Sequence, residues 1–267
     1  MFGRDTRSPV AAADREWIEG SFAWLADRFG ASLLASRVLL PTAEDFPGPF
    51  SGEVEQAQAL VVGIASAMGL DLDTERLTAA PFAHGALGSV AARGLTGCAS
   101  YPGGAFSSGA KGRVIALDTA LAGRPIELVA TIAHMLGHLR FVGEDGVPAH
   151  RMTRERLIDL LAVYSGLGVF GANAAVEVEV DPLANVRAAA SRGLSQGRSK
   201  FRHRTYLSEE MHGYALACFA FMRGEARPKW SKHLDTNPRA YMRQSLGYLS
   251  QHPAEPLVAL RAGSNKG

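Results

Sequence analysis

This sequence predicts a mixed α+β fold, mostly helical, with a small sheet packed on one central helix. Segments with apolar residues at three- and four-residue spacing recur along the chain, and one short stretch, KGRVIALDT (111–119), has a strand's apolar centre. Glycine- and proline-rich stretches separate these segments. With 267 residues the chain can bury a large core, as one domain or as a domain with a small appendage.

In chain order, residues 1–13 read as a disordered leader. Trp17, Ile18, Phe22, Trp24 and Leu25 mark an amphipathic helix over 14–29, stopped by Gly30. SLLASRVLLPT then reads as a strand entering the proline-rich loop AEDFPGPFSGE. Val54, Ala57, Leu60, Val61 and Ile64 restore the helical period over 53–68, closed by Gly69. Residues 82–112 read as short strands and turns, and 111–119 as a strand. Residues 125–143, PIELVATIAHMLGHLRFVG, form the central helix, with Pro125 at its first position, Glu127 against its dipole and Gly143 as its stop. After the loop EDGVPAH, a second helix is predicted over 153–169 with Thr153 as N-cap. Residues 171–186 read as a mixed loop, β-prone at 176–180. Ser208 caps a further helix that Gly224 stops, a last helix spans about 238–250, and the tail GSNKG reads as disordered. The organisation expected is an α+β domain over 14–186, a basic flexible connection over 187–205, and helices over 206–260 packed on the same core.

Composition excludes several functions. Hydrophobic content of 47% with 20% charged residues is ordinary for a soluble domain, and a net charge of +2 gives no global attraction to nucleic acid or anionic membrane. The N-terminus lacks the apolar run of an export signal, and the longest uncharged stretch, 160–176, is too short and glycine-rich to span a bilayer, so a cytoplasmic location is expected. Cys98 and Cys218 make no disulfide framework and no metal-spacing cluster. The arginines and lysine between Arg187 and Arg204 suggest a phosphate-contacting arm. Phe201 is the one aromatic among them, however, so a solvated connection is preferred and nucleic acid is not an expected partner.

The chemistry concentrates on the central helix. His134 and His138 stand four residues apart, so both imidazoles leave one face a turn apart, the arrangement by which two histidines share a Zn²⁺. The next helix carries Glu155 and Asp159, also four apart. A hydrolytic zinc needs three protein ligands and one open position; either acid could be the third ligand, with the other orienting a histidine. The competing expectation is two histidines and two acids hydrogen-bonded inside a helical core without metal. His84, His150, His233 and His252 have no partner at ligand spacing.

His134-Met135-Leu136-Gly137-His138 followed by Glu155-Arg-Leu-Ile-Asp159 resembles the zincin metallopeptidases, specifically the thermolysin-like gluzincins, whose pattern is H-E-x-x-H on one helix and E-x-x-x-D on the next. The resemblance covers about 50 residues, from Arg113 to about Gly168. It implies a zincin-like fold, Zn²⁺ on His134, His138 and Glu155, and Asp159 orienting a ligand histidine. The stretches AHMLGHLRF and DLLAVYSGLGVFGAN are also similar to an uncharacterised group of bacterial H-E-x-x-H proteins. Gluzincins further place a tyrosine or histidine on the oxyanion of the tetrahedral intermediate, and His203, Tyr206, His212 and Tyr214 are the candidates here.

Met135 stands where the motif has its general base. Methionine neither takes a proton from water nor delivers one, and losing that help costs typically ~10²–10⁴-fold in rate. A substitution made to silence an active enzyme, a natural pseudoenzyme, and a replacement base at Glu144, Asp145 or Glu127 remain as explanations. The expectation is a zinc metallopeptidase scaffold for peptide or amide hydrolysis, inactive or very weak. The alternative is a non-catalytic pseudoenzyme binding a peptide or protein partner through the former cleft.

Overall fold

The central helix, α3 (Pro125–Arg140), is covered on one side by a sheet and on the other by helices. The computed structural model describes residues 7–46, 50–71, 77–83, 99–109, 112–179 and 200–264. In order they form α1 (Ala12–Phe29), a 3₁₀ turn (Ala31–Ala35), α2 (Val54–Ala67), β1 (Leu77–Phe82), β2 (Ala99–Tyr101), β3 (Gly104–Gly109), β4 (Gly112–Asp118), a 3₁₀ turn (Thr119–Gly123) and α3. Then follow α4 (Arg151–Tyr164), α5 (Gly168–Ala174), β5 (Val176–Glu179), β6 (Lys200–His203), α6 (Glu209–Met222), a 3₁₀ turn (Lys229–His233), α7 (Thr236–Gln251) and α8 (Glu255–Ser264). The α+β, mostly helical class is as predicted.

The main sheet has the order β1-β4-β3-β2; β1 runs parallel to β4, and β4, β3 and β2 are successively antiparallel. Ile115 and Leu117 of β4 are fully buried, as the strand reading of 111–119 requires. The sheet approaches α3 closely at Gly104, where a Cβ would lie 2.5 Å from Thr131 Cγ2. Thr131 Oγ1 also donates to the Pro102 carbonyl at 3.1 Å, fixing the β2–β3 turn to the helix. One continuous apolar core runs from Val10 through α3, α4 and α6 to Leu257 of α8.

Several expectations are corrected. Residues 32–42 are not a strand: Ala31–Ala35 is a 3₁₀ turn, and Leu39 N–H finds its acceptor in the Gly166 carbonyl (3.0 Å) rather than in a sheet. Of the expected leader, residues 7–11 are placed, Val10 is buried, and α1 already begins at Ala12. Thr153 lies inside α4, whose N-cap is His150. The second helix ends at Tyr164 rather than continuing to 169, because Gly166 turns the chain with φ +82° and a Cβ there would meet the Arg37 carbonyl oxygen at 2.8 Å. The chain then re-enters a helix at Gly168, so part of the expected 171–186 loop is α5. Lys200–His203, expected in a flexible connection, pairs antiparallel with β5. β1 and α8 were not anticipated, and Ser264 of the expected tail ends α8. The arginines at 187, 192 and 198, and Cys98, lie outside the described residues. Among the described residues no helix is long and apolar enough to cross a membrane.

Candidate metal centre

Two neighbouring helices build the centre. α3 presents His134 and His138, and α4 passes it at Gly137, where a Cβ would fall 2.5 Å from Ile158 Cγ2. That approach brings Glu155 Oε2 to 2.9 Å from His134 Nε2 and 3.2 Å from His138 Nε2. The three ligand atoms all lie within 4.8 Å of one another, and His134, His138 and Glu155 could hold a metal ion.

The donor set passes a test of fit. His138 Nε2 is buried beside Glu155 but off the line along which an N–H could donate, so it makes no hydrogen bond. A buried ring nitrogen beside a carboxylate oxygen but not aimed at it, with no proton shared between them, is placed for a cation common to both. Donors on a tetrahedral zinc with bonds of 2.0–2.3 Å stand about 3.3–3.8 Å apart, so the observed separations of 2.9 and 3.2 Å need to open by only a few tenths of an ångström to take the ion.

Asp159 is bound from both sides. Its Oδ1 is 2.7 Å from His134 Nδ1, and its Oδ2 accepts the backbone N–H groups of Tyr206 (2.7 Å) and Leu207 (3.1 Å). The two acids therefore occupy different places: Glu155 stands between the histidines, and Asp159 holds the outer nitrogen of His134. Aromatic rings close the sides. Tyr101 stacks on His134 with centroids 4.1 Å apart, Tyr206 lies 5.5 Å from the same imidazole, and Phe106 is parallel to His138 at 6.3 Å.

Of the oxyanion candidates whose side chains are described, Tyr206 is the one stacked on a ligand imidazole. Tyr214 is buried in α6 with its hydroxyl donating to Glu19. His212 is buried and bonded to Thr205, not to either ligand helix. The side chain of His203 lies outside what is described. Met135 is fully buried in the helix–sheet interface, its Cγ 3.7 Å from where a Gly104 Cβ would sit. Two of the three replacement bases are engaged elsewhere: Glu127 pairs with Arg124 and Glu144 with Arg28. Tyr101, Phe106 and Thr205 were not singled out from the sequence; Tyr101 and Phe106 lie in its glycine-rich stretch, where nothing marks them.

Burial pushes the His134 imidazolium down, but Asp159 and then Glu155 outweigh it and hold its pKa above the usual value. His138 is pushed the other way, chiefly by burial. Burial alone would raise Glu155; the hydrogen bond from His134 and the adjacent His138 imidazole bring it to about 2. Without metal, one proton is thus held on His134 between two carboxylates, and a metal must displace it. Zinc affinity is expected to rise with pH through and above the ordinary histidine range as this raised pKa is passed, with proton release on binding. Calorimetry at two pH values in buffers of different ionisation enthalpy measures both; affinity independent of pH from 6 to 8 would contradict the assignment.

No protein-family model matches this chain, and no curated protein and no solved structure matches it.

Proposed function

We propose that the chain is a zinc-binding protein of metallopeptidase design, in which hydrolysis of a peptide or amide bond is silent or very slow. The convergence of His134, His138 and Glu155 on one point, with Asp159 behind His134, supports the metal. Bound there, a zinc ion would act as a Lewis acid toward water and a substrate carbonyl. The chain's own residues supply the rest. Asp159 keeps a proton on His134 Nδ1 and so leaves Nε2 free to ligate. Tyr101, Tyr206 and Phe106 exclude bulk water from the imidazole faces, and Tyr206, the candidate stacked on His134, is the side chain to which we assign the oxyanion.

Met135 offers no atom that moves a proton, which is the reason for the low turnover. Met135→Glu is the test. A carboxylate at this buried position lacks a partner in the metal-free protein, so the variant is expected to melt below the parent and to gain more stability from zinc. With zinc it is expected to hydrolyse members of a broad peptide library on the order of 10²-fold or more faster than the parent. Absence of turnover in both proteins would remove hydrolysis from the reading. The complete burial of Met135 favours a second reading, a non-catalytic protein that binds a peptide or protein partner beside the centre. It predicts partner binding that Met135→Glu leaves unchanged.

A further inference from the structure

We propose that His212 is a positioning residue for the metal centre, acting through Thr205 on the turn that holds Asp159. The inference rests on the reading of His134 as a metal ligand. Thr205 has one hydroxyl proton, and it goes to the Leu207 carbonyl at 2.6 Å. The Thr205 oxygen is then an acceptor, so the contact at 3.3 Å is a donation from His212 Nε2–H. This puts a proton on His212 Nε2. Burial keeps the ring neutral, pushing its pKa down to about 4.

The chain of contacts continues to the metal side. The bond from Thr205 to Leu207 closes the turn and aims the N–H groups of Tyr206 and Leu207 at Asp159 Oδ2. Asp159 Oδ1 in turn faces His134 Nδ1 at 2.7 Å. A donor on α6 thereby sets the orientation of a carboxylate on α4 and, through it, an imidazole on α3. An apolar side chain would fill this core position without the desolvation cost of an imidazole, so the N–H is the property being used.

Two further features fit. His212 Nδ1 is buried and takes no hydrogen bond from the protein; the ring borders a cavity of about 10 Å³ shared with Tyr101, His134 and Asp159. That is room for one water, whose proton suits a bare Nδ1. At Gly171 a Cβ would stand 3.0 Å from His212 Cε1, so glycine leaves the imidazole its place.

The experiment compares the parent with His212→Leu, His212→Gln and Gly171→Ala. Zinc affinity is measured by competition with a chromophoric chelator, and the His134 Nδ1–H proton resonance is followed in the metal-free proteins. His212→Leu is expected to weaken zinc binding by on the order of 10–100-fold and to shift or broaden that resonance. His212→Gln, which keeps an N–H donor, is expected to recover affinity to within a few-fold, and Gly171→Ala to fall between parent and His212→Leu. Parent affinity and an unmoved resonance in folded His212→Leu would overturn the proposal, as would a glutamine variant no better than leucine. If His212→Leu does not fold, Gly171→Ala and His212→Gln decide by the same two readouts. A parent that binds no zinc would defeat the metal reading, while the metal-free resonance would still decide whether His212 governs His134.

Discussion

Asp159→Asn is expected to cost about 3 kcal/mol of stability and to weaken zinc binding by about 10–100-fold. The carboxylate accepts three donors: two backbone N–H groups at Oδ2 and the His134 ring at Oδ1. A carboxamide has one oxygen for those two sides. If its NH₂ faces the turn, two backbone donors meet a third donor in a buried place. If it faces His134, the ring must accept at Nδ1 and carry its proton on Nε2, where the metal would bind. Either choice damages the centre with no change in volume. Chemical denaturation and a competition titration measure the two effects. A loss under 1 kcal/mol with unaltered affinity would show that Asp159 does not orient His134.

Gly137→Ala is expected to destabilise the protein by about 1–3 kcal/mol, the usual range for overpacking, despite the ~1 kcal/mol that alanine gains over glycine within a helix. The new Cβ would lie 2.5 Å from Cγ2 of Ile158, a fully buried, β-branched side chain with little freedom to turn aside. The helices must separate where Glu155 meets the histidines, so zinc affinity is expected to fall with stability. Ile158→Leu moves the branch away from the contact and should restore both in the double variant. A double-mutant cycle without coupling would contradict this account of the helix approach.

The legible parts of the molecule were those fixed by local periodicity. The α3 helix follows from its apolar spacing and its N-terminal proline, and the shared face of His134 and His138 follows from the four-residue interval alone. Ser208 is likewise a cap on its own evidence, accepting from Met211 N–H as its residue type suggests. What stayed hidden depends on distant chain. The run LLASRVLL reads as a strand, but with no neighbouring strand its Leu39 pairs with the Gly166 carbonyl. β1 was missed because Pro81 and two alanines give it a weak strand pattern; its edge is met by Gln58, whose side chain accepts from Ala79 N–H and donates to the Leu77 carbonyl. The separate places of Glu155 and Asp159 could not be read from two acids on one helical face. They are told apart by backbone amides 47 and 48 residues further on. His212 gave no sequence signal beyond its residue type, because its partner Thr205 only matters once the turn is folded.

The most direct measurement is metal content per chain, by elemental analysis of protein purified without a histidine tag or chelator. The account predicts close to one zinc per chain, lost in His134→Ala and in Glu155→Ala while circular dichroism shows the helices retained. Protein that takes up no metal after incubation with excess zinc and dialysis would contradict it. The two histidines and two carboxylates would then be a buried hydrogen-bonded cluster that braces α3 against α4.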